Sequence, residues 1–421
     1  MNIFEQHESE VRGYCRTFPA VFSSAKGAWM TDVEGRRYLD FFSGAGVLNY
    51  GHNPDRLKQA LMAYLMRDGI THTLDMYSEA KANFIEQFQK VILQPRNLQY
   101  KLQFPGPTGT NAVEAALKLA RKVTGRQEVV SFTNAFHGMT LGSLSVTGNG
   151  FKRAGAGVPL THTASMPFDG YLGVDTDTLD LFEAMLVDNG SGMELPAAVI
   201  LETVQAEGGV NVASHAWLRR LREITQRHGI VLIVEDIQVG SGRTGHFFSF
   251  EEAGIVPDIV TLSKSLSGYG LPLALVLIRP DLDQWVPGEH NGTFRGHCPA
   301  FVTGTAALSF WTDNQLQESV KAKGQRTADR LENMLHKRGV EGCVRGVGLI
   351  QGVEFGDANL AGRVSEACFE RGLIIETAGI DDQVLKLLPS LTIKEEELSN
   401  GLDIIDQSLQ ACLSQGIRKA A

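Results

Sequence analysis

No stretch of this 421-residue chain reaches the run of about 18 apolar residues that a membrane-spanning helix needs. Nor is there an excess of positive charge: 39 Lys and Arg stand against 48 Asp and Glu, a formal net charge of −9. That balance argues against nucleic acid or an anionic membrane as the main partner. Cysteine is scarce. The five residues Cys15, Cys298, Cys343, Cys368 and Cys412 are scattered and form no CxxC pair. This argues against a disulfide framework and fits reduced thiols in a cytoplasmic protein. Internal repeats and low-complexity tracts are missing too. The N-terminal MNIFEQHESEVR is polar and acidic, so no secretory leader is expected there.

What is present reads as a soluble globular protein, with 43% apolar and 21% charged residues. The length implies two or more domains. The runs EVVSF (128–132), AAVILET (197–203), IVLIVED (230–236), DIVTLS (258–263) and LALVLI (273–278) are β-branched and apolar on both faces. Helical patterns lie between them, at 111–123 and 214–228. Such alternation predicts an α/β fold with a mostly parallel sheet covered by helices. A long helical pattern follows at about 304–338. Beyond it, VRGVGLIQGVEF, a helix at 361–371, LIIET and VLKLLPSL suggest a smaller α+β domain. Thr392 with Glu395 predicts a capping box for the final helix. AWMTDVEGRRYLDF is a hairpin candidate that joins the small domain. The expected division is a large domain at 46–320, with 1–45 and 321–421 forming the small one.

Lys264 raises the functional question. In TLSKSLSGYG it ends a buried apolar run and precedes two glycines. An ammonium there either snorkels to solvent or reacts. Asp236 closes another buried run, where a carboxylate is costly without a partner. Gln238 lies two residues on and, on an extended backbone, faces the same side. The adjoining GSGRTG (240–245) matches GxGxxG. However, a weak helix start follows it and the acid precedes the glycines, so a dinucleotide site is not the preferred reading. In GPTGTNAVEAALKLARKVTGR, Asn111 and Glu114 read as helix-capping residues. Gly109 and Thr110 then sit where free N–H groups and the helix dipole gather an anion, a single phosphate by its fit. Phe136, in NAFHGMT, either fills core space or stacks on a flat ring.

Together these residues suit one chemistry. A phosphorylated pyridine aldehyde needs an amine, Lys264, to condense with it and an acid, Asp236, on its ring nitrogen. It also needs donors for its phosphate at Gly109 and Thr110, and a stacking ring at Phe136. Gln238 suits its phenolic oxygen. Lys264, once released, is the natural base for moving a proton at Cα. Lys264 and Asp236 alone serve an aminomutase, racemase or decarboxylase equally well.

The series LETVQAEGGV, VEDIQVGSGRTG, DIVTLSKSLSGYGLP and NGTFRGH resembles the motifs of class III pyridoxal-phosphate aminotransferases, in order and across nearly the whole chain. Lys264 lies 28 positions after Asp236, a spacing that fits this resemblance. The resemblance implies the fold type I architecture, pyridoxal 5'-phosphate as cofactor, and amino-acid and keto-acid or aldehyde substrates. It also implies a homodimer or higher homo-oligomer with active sites at the interface. By the same resemblance Thr293 reaches the phosphate of the neighbouring subunit's cofactor. Glu202 and Glu207 match the family's two acids, the second a gate near the substrate carboxylate. In the small-domain strand many members carry an arginine, and this chain places Lys386, a point charge without the bidentate fork. Ala206 stands where a glycine is common. His290, His297 and Cys298 match no metal spacing, and no metal is expected. His72 and Arg295 receive no role.

Overall fold

Two-faced apolar runs bury only inside a layered sheet, and five of them become its centre. The structure, a computed structural model, describes residues 3–420, with side chains through 414. The main sheet runs in the order Lys101–Gln103, Leu275–Ile278, Ile259–Leu262, Val231–Glu235, Ala198–Leu201, Val129–Phe132, Thr163–Met166. Neighbours from Ile259–Leu262 to Thr163–Met166 pair in parallel, and Leu275–Ile278 is antiparallel to both its neighbours. The fold is thus α/β with a mostly parallel sheet, as expected. The two edge strands, Lys101–Gln103 and Thr163–Met166, had no counterpart in the sequence reading.

Alternation along Val231–Glu235 divides the core. Val231 and Ile233 pack with Ala112, Val113 and Ala116 of helix Gly109–Thr124. Leu232 and Val234 pack with Trp217, Leu218 and Leu221 of helix His215–Arg227. The carboxyl ends of the parallel strands therefore open between the two layers, where α/β sheets place ligands.

A second sheet is antiparallel, in the order Gly342–Val347, Ile350–Phe355, Val384–Leu387, Glu376–Ala378. The expected hairpin is present, with Trp29–Asp32 antiparallel to Arg37–Asp40. Leu373–Ile374 extends it in parallel, so the N-terminal strands share a sheet with the C-terminal region. Leu39, Leu335, Val353, Leu385 and Leu402 fill the core beneath. Residues 1–2 and 421 of the expected small domain lie outside the described residues.

Two expectations are corrected. The pattern at 304–338 is not one helix: Cys298–Ala307 and Gln315–Arg338 are helices, with a 3₁₀ turn at Leu308–Trp311 between them. Asp313 Oδ1 accepts the Gln315 N–H at 3.0 Å, an Asx turn that restarts the chain. The final helix begins at Glu395, past Thr392. Its reciprocal cap comes from Glu397, whose Oε2 accepts the Lys394 N–H at 3.1 Å. Among the described residues no helix is long and apolar enough to cross a membrane.

Candidate active site

Lys264 follows strand Ile259–Leu262 and opens a 3₁₀ turn, Lys264–Ser267. Its φ is +47°, a left-handed conformation that a lysine rarely adopts. Strain of this kind persists only where the surroundings fix it, and it clusters at functional sites. Its Nζ donates to Ala45 O at 2.9 Å. That carbonyl is presented by a left-handed turn, with positive φ at Ser43, Gly44, Ala45 and Gly46. Ser265 Oγ holds the turn through Gly46 O at 2.7 Å. Burial pushes the Lys264 ammonium below the usual lysine range, and Glu207 opposes that push. The lysine is thus predisposed to give up its proton.

The strand-end acids require a correction. Asp236 and Gln238 do not share a face. The chain turns immediately after Asp236, where Gly240 N–H donates to Asp236 O at 3.2 Å, so the extended-strand rule stops there. Asp236 lies on the face of Leu232 and Val234. Its Oδ2 accepts the Ser249 N–H at 3.1 Å, and its charged neighbours are Glu235 and Glu251. Burial raises its carboxyl to about 7. The acid on the Gly109 face, among the charges that act on Lys264, is Glu235. Its Oε1 accepts the Ile237 N–H at 2.9 Å, and its Oε2 lies 3.1 Å from His137 Nδ1. Face alternation back from Ile233 was the signal available in the sequence. Glu202 completes this buried group, with Oε2 accepting the Phe136 N–H at 3.0 Å. Burial and the neighbouring Glu235 push the Glu202 carboxyl well above the usual carboxylate range.

Gln238 does reach the site, from the turn. Its Nε2 donates to Ala45 O at 2.7 Å and to Glu207 Oε1 at 3.1 Å, and its buried Oε1 has no partner. Thr108, not Asn111, holds the N-cap position of helix Gly109–Thr124 and makes no side-chain capping bond; Asn111 Nδ2 donates to Thr108 Oγ1 at 2.7 Å. Glu114 turns away from the cap. Its Oε1 accepts the N–H groups of Gly142 at 2.9 Å and Ser143 at 3.1 Å. Gly109 and Thr110 occupy the first turn, where N–H groups lack helical acceptors. The Thr110 hydroxyl is already engaged, 2.6 Å from Thr140 Oγ1 and 2.8 Å from Ser143 Oγ. Thr110 therefore offers its backbone. Gly138, at φ +128°, allows this approach: a Cβ there would lie 2.6 Å from Thr110 Oγ1. Phe136 is half-buried, and Lys152 Nζ stands 4.1 Å from its ring centre.

Lys386, on strand Val384–Leu387, is fully buried. Its Nζ donates to Glu207 Oε1 at 2.7 Å and lies 3.1 Å from Glu376 Oε1. Burial disfavours both charges of the Glu207 pair. Lys386 and Lys264 outweigh it and hold the Glu207 carboxyl at about 2, while the carboxylates hold the Lys386 ammonium above the lysine range. Lys386 is therefore a buried, ion-paired residue.

Thr293 is exposed, its carbonyl 2.6 Å from His72 Nε2, and Gly292 beside it packs on Gly106. Arg295 donates to Asn291 Oδ1 at 2.7 Å. GSGRTG forms turns with no long helix after it, and its role is mechanical. The buried Arg243 donates to Leu349 O at 2.9 Å, to Pro389 O, and to Asn49 Oδ1 at 2.6 Å.

A phosphorylated pyridine aldehyde fits this cleft. Lys264 Nζ and Gln238 Nε2 meet at the Ala45 carbonyl, the buried Gln238 Oε1 has no partner, and Ile237 beside it packs on Gly109 at the helix N-terminus. Glu235 is the carboxyl on the Gly109 side of the strand that acts on Lys264.

Comparison with known proteins adds the following. The family model for class-III aminotransferases matches residues 12–409. The chain is 60% identical over 406 residues to the diaminobutyrate–2-oxoglutarate transaminase of Nocardia farcinica, covering 96% of this chain and 93% of that one. It is 57% identical over 412 residues to the protein of the same name in Halalkalibacterium halodurans, covering 98% and 96%. Among solved structures, an aminotransferase of Bacillus anthracis superposes with TM-score 0.87 at 23% identity, covering 97% of both chains. The ornithine aminotransferase of Toxoplasma gondii, solved with partial pyridoxal phosphate occupancy, gives TM-score 0.83 at 27% identity, covering 98% and 94%.

Proposed function

Since the chain belongs to the class-III aminotransferase family, we propose that it uses pyridoxal 5'-phosphate to move the amino group of L-glutamate to L-aspartate 4-semialdehyde. The products are L-2,4-diaminobutyrate and 2-oxoglutarate, and the step opens ectoine synthesis, a response to osmotic stress. The observation that carries the catalytic reading is Lys264, held in a strained turn with its ammonium destabilised by burial. The names of relatives 57–60% identical over nearly the full length support diaminobutyrate and 2-oxoglutarate as one reactant pair.

Pyridoxal phosphate, when bound, supplies an aldehyde that takes the amino group and a ring that stores the electron pair left by Cα–H cleavage. Gly109 and Thr110 would hold its phosphate through backbone N–H groups. Phe136 and Ile237 would flank the ring, Gln238 would meet its phenolic oxygen, and Glu235, oriented by His137, would keep its nitrogen protonated. Lys264 Nζ takes the proton from glutamate Cα and later delivers one to C4 of the semialdehyde. Lys386 receives a substrate carboxylate as Glu207 gives way. Both half-reactions use this one set of groups in turn.

We further infer a cytoplasmic homo-oligomer in which Thr293 serves the phosphate across a subunit interface. Its exposure, and that of the neighbouring Phe294, supports this. Residues 46–320 would form the cofactor-binding domain, with 1–45 and 321–421 as the small one. The test is incubation of purified protein with glutamate and aspartate semialdehyde, followed by assay of 2-oxoglutarate and diaminobutyrate. Formation of neither refutes the reading.

A further inference from the structure

One ammonium facing two carboxyls is an unbalanced arrangement. Glu376 and Lys386 are direct cross-strand partners in the small antiparallel sheet. Both are buried, and Lys386 is wholly so. Glu207 comes from a loop beyond the main sheet and is the more exposed of the two acids. A third chain region also reaches the cluster. Tyr14, on helix Tyr14–Thr17, donates from its hydroxyl to Glu376 Oε2 at 3.4 Å. The groups that face Glu376 are Lys386 on the next strand, Glu207 on the loop, Tyr14 on the N-terminal helix and Lys264 at the sheet end.

These positions decide which carboxyl yields to an incoming substrate carboxylate. Glu207 has alternative company at Gln238 and can leave. Glu376 is kept beside Lys386 by the strand register, and its Oε2 takes the Tyr14 hydroxyl. After exchange, the ligand carboxylate and Glu376 would both meet a single ammonium in a dry site. Glu207 stays ionised close by, so the ligand adds a negative charge to the cluster and favours a proton on Glu376. Glu376 Oε1 lies 3.1 Å from Lys386 Nζ, the longer of the lysine's two ion pairs, so the ammonium holds Glu376 less firmly than it holds Glu207.

We propose that Lys386 and the protonated carboxyl of Glu376 form a two-donor seat for a substrate carboxylate, doing together what an arginine fork does alone. Glu376 is then a specificity residue, and carboxylate binding is linked to proton uptake. The inference rests on the substrate reading above, and deepens it. Burial raises the Glu376 carboxyl to about 7, against the pull of Lys386, so near neutral pH it is divided between its two forms. Above that pH the free protein is increasingly ionised at Glu376, and each carboxylate bound must bring one proton from solvent. Affinity should therefore fall about tenfold per pH unit above neutrality.

The probe is glutarate, a five-carbon dicarboxylate with no amine to titrate and no reaction to follow. Its binding to the cofactor-loaded protein is measured by calorimetry at pH 6 and pH 8.5, in buffers of different ionisation heat. The expected result is little proton uptake at pH 6 and close to one proton per site at pH 8.5. In Glu376→Gln, which keeps a donor without the charge, uptake should vanish and affinity should become independent of pH. Wild-type binding at pH 8.5 without proton uptake overturns the proposal with no variant needed. So does unchanged uptake in Glu376→Gln. No wild-type glutarate binding overturns it as well. If 2-oxoglutarate still forms from glutamate, only this seat is wrong; if it does not, the substrate reading falls too.

Discussion

Replacing Glu235 by Gln separates the two acids that end strand Val231–Glu235. The amide keeps the size of the side chain and its acceptor for the Ile237 N–H, but removes the charge proposed to pair with the cofactor ring. Two unit charges about 4 Å apart at an effective dielectric near 20 interact by about 4 kcal/mol. A ring nitrogen can also bind unprotonated, which limits the loss of cofactor affinity. The loss then falls mainly on the rate of Cα deprotonation, which should drop by about 10²-fold or more. Asp236→Asn is the control, because that side chain faces Ser249. Its rate should change less than about threefold. The assay is the single-turnover half-reaction with glutamate, followed by the cofactor's visible absorbance. A near-normal Glu235→Gln beside a crippled Asp236→Asn would refute the face assignment. The same control carries a stability prediction. Burial raises Asp236 from 3.8 to about 7, so its contribution to stability is present in acid and is lost as pH rises through 7. That rise corresponds to about 4 kcal/mol. Asp236→Asn should therefore raise the Tm more at pH 8 than at pH 5, and an equal change at both would contradict the buried placement.

Two further substitutions test the scaffold. Gly138→Ala places a Cβ 2.6 Å from Thr110 Oγ1 and should displace the phosphate loop. Cofactor Kd should rise about 10- to 100-fold, and an unchanged Kd would remove Gly138 and Thr110 from the site. Arg243→Met leaves Asn49, Leu349 and Pro389 without their donor, at about 1–3 kcal/mol for each buried acceptor, offset by relief of a buried charge. A clear fall in urea midpoint is expected, and none would make the arginine dispensable.

How much of this was legible in the chain follows from local physics. The five central strands are buried on both faces, so each reads as an apolar run. Lys101–Gln103 and Thr163–Met166 are short, polar and at sheet edges, and no pattern marks them. Lys264 was legible because an apolar strand ending in lysine is unusual anywhere. Asp236 and Gln238 misled, since face alternation holds only while the backbone stays extended, and the turn begins between them. Counting faces backward into the strand would have favoured Glu235. The Lys386, Glu207 and Glu376 cluster was only partly legible. Glu207 and Lys386 are 179 positions apart, and only the fold brings them within 2.7 Å. The resemblance pointed to that pair, but nothing in LIIET marked Glu376 as its third member.

The central claim is that Lys264 is the amine bonded to the cofactor. The holoprotein is reduced with borohydride, which makes that bond permanent, then digested and mapped by mass spectrometry. A phosphopyridoxyl tag is expected on Lys264, and no tag when Lys264→Ala is treated in the same way. A tag on Lys386 or any other lysine, or none on the wild-type protein, would contradict it.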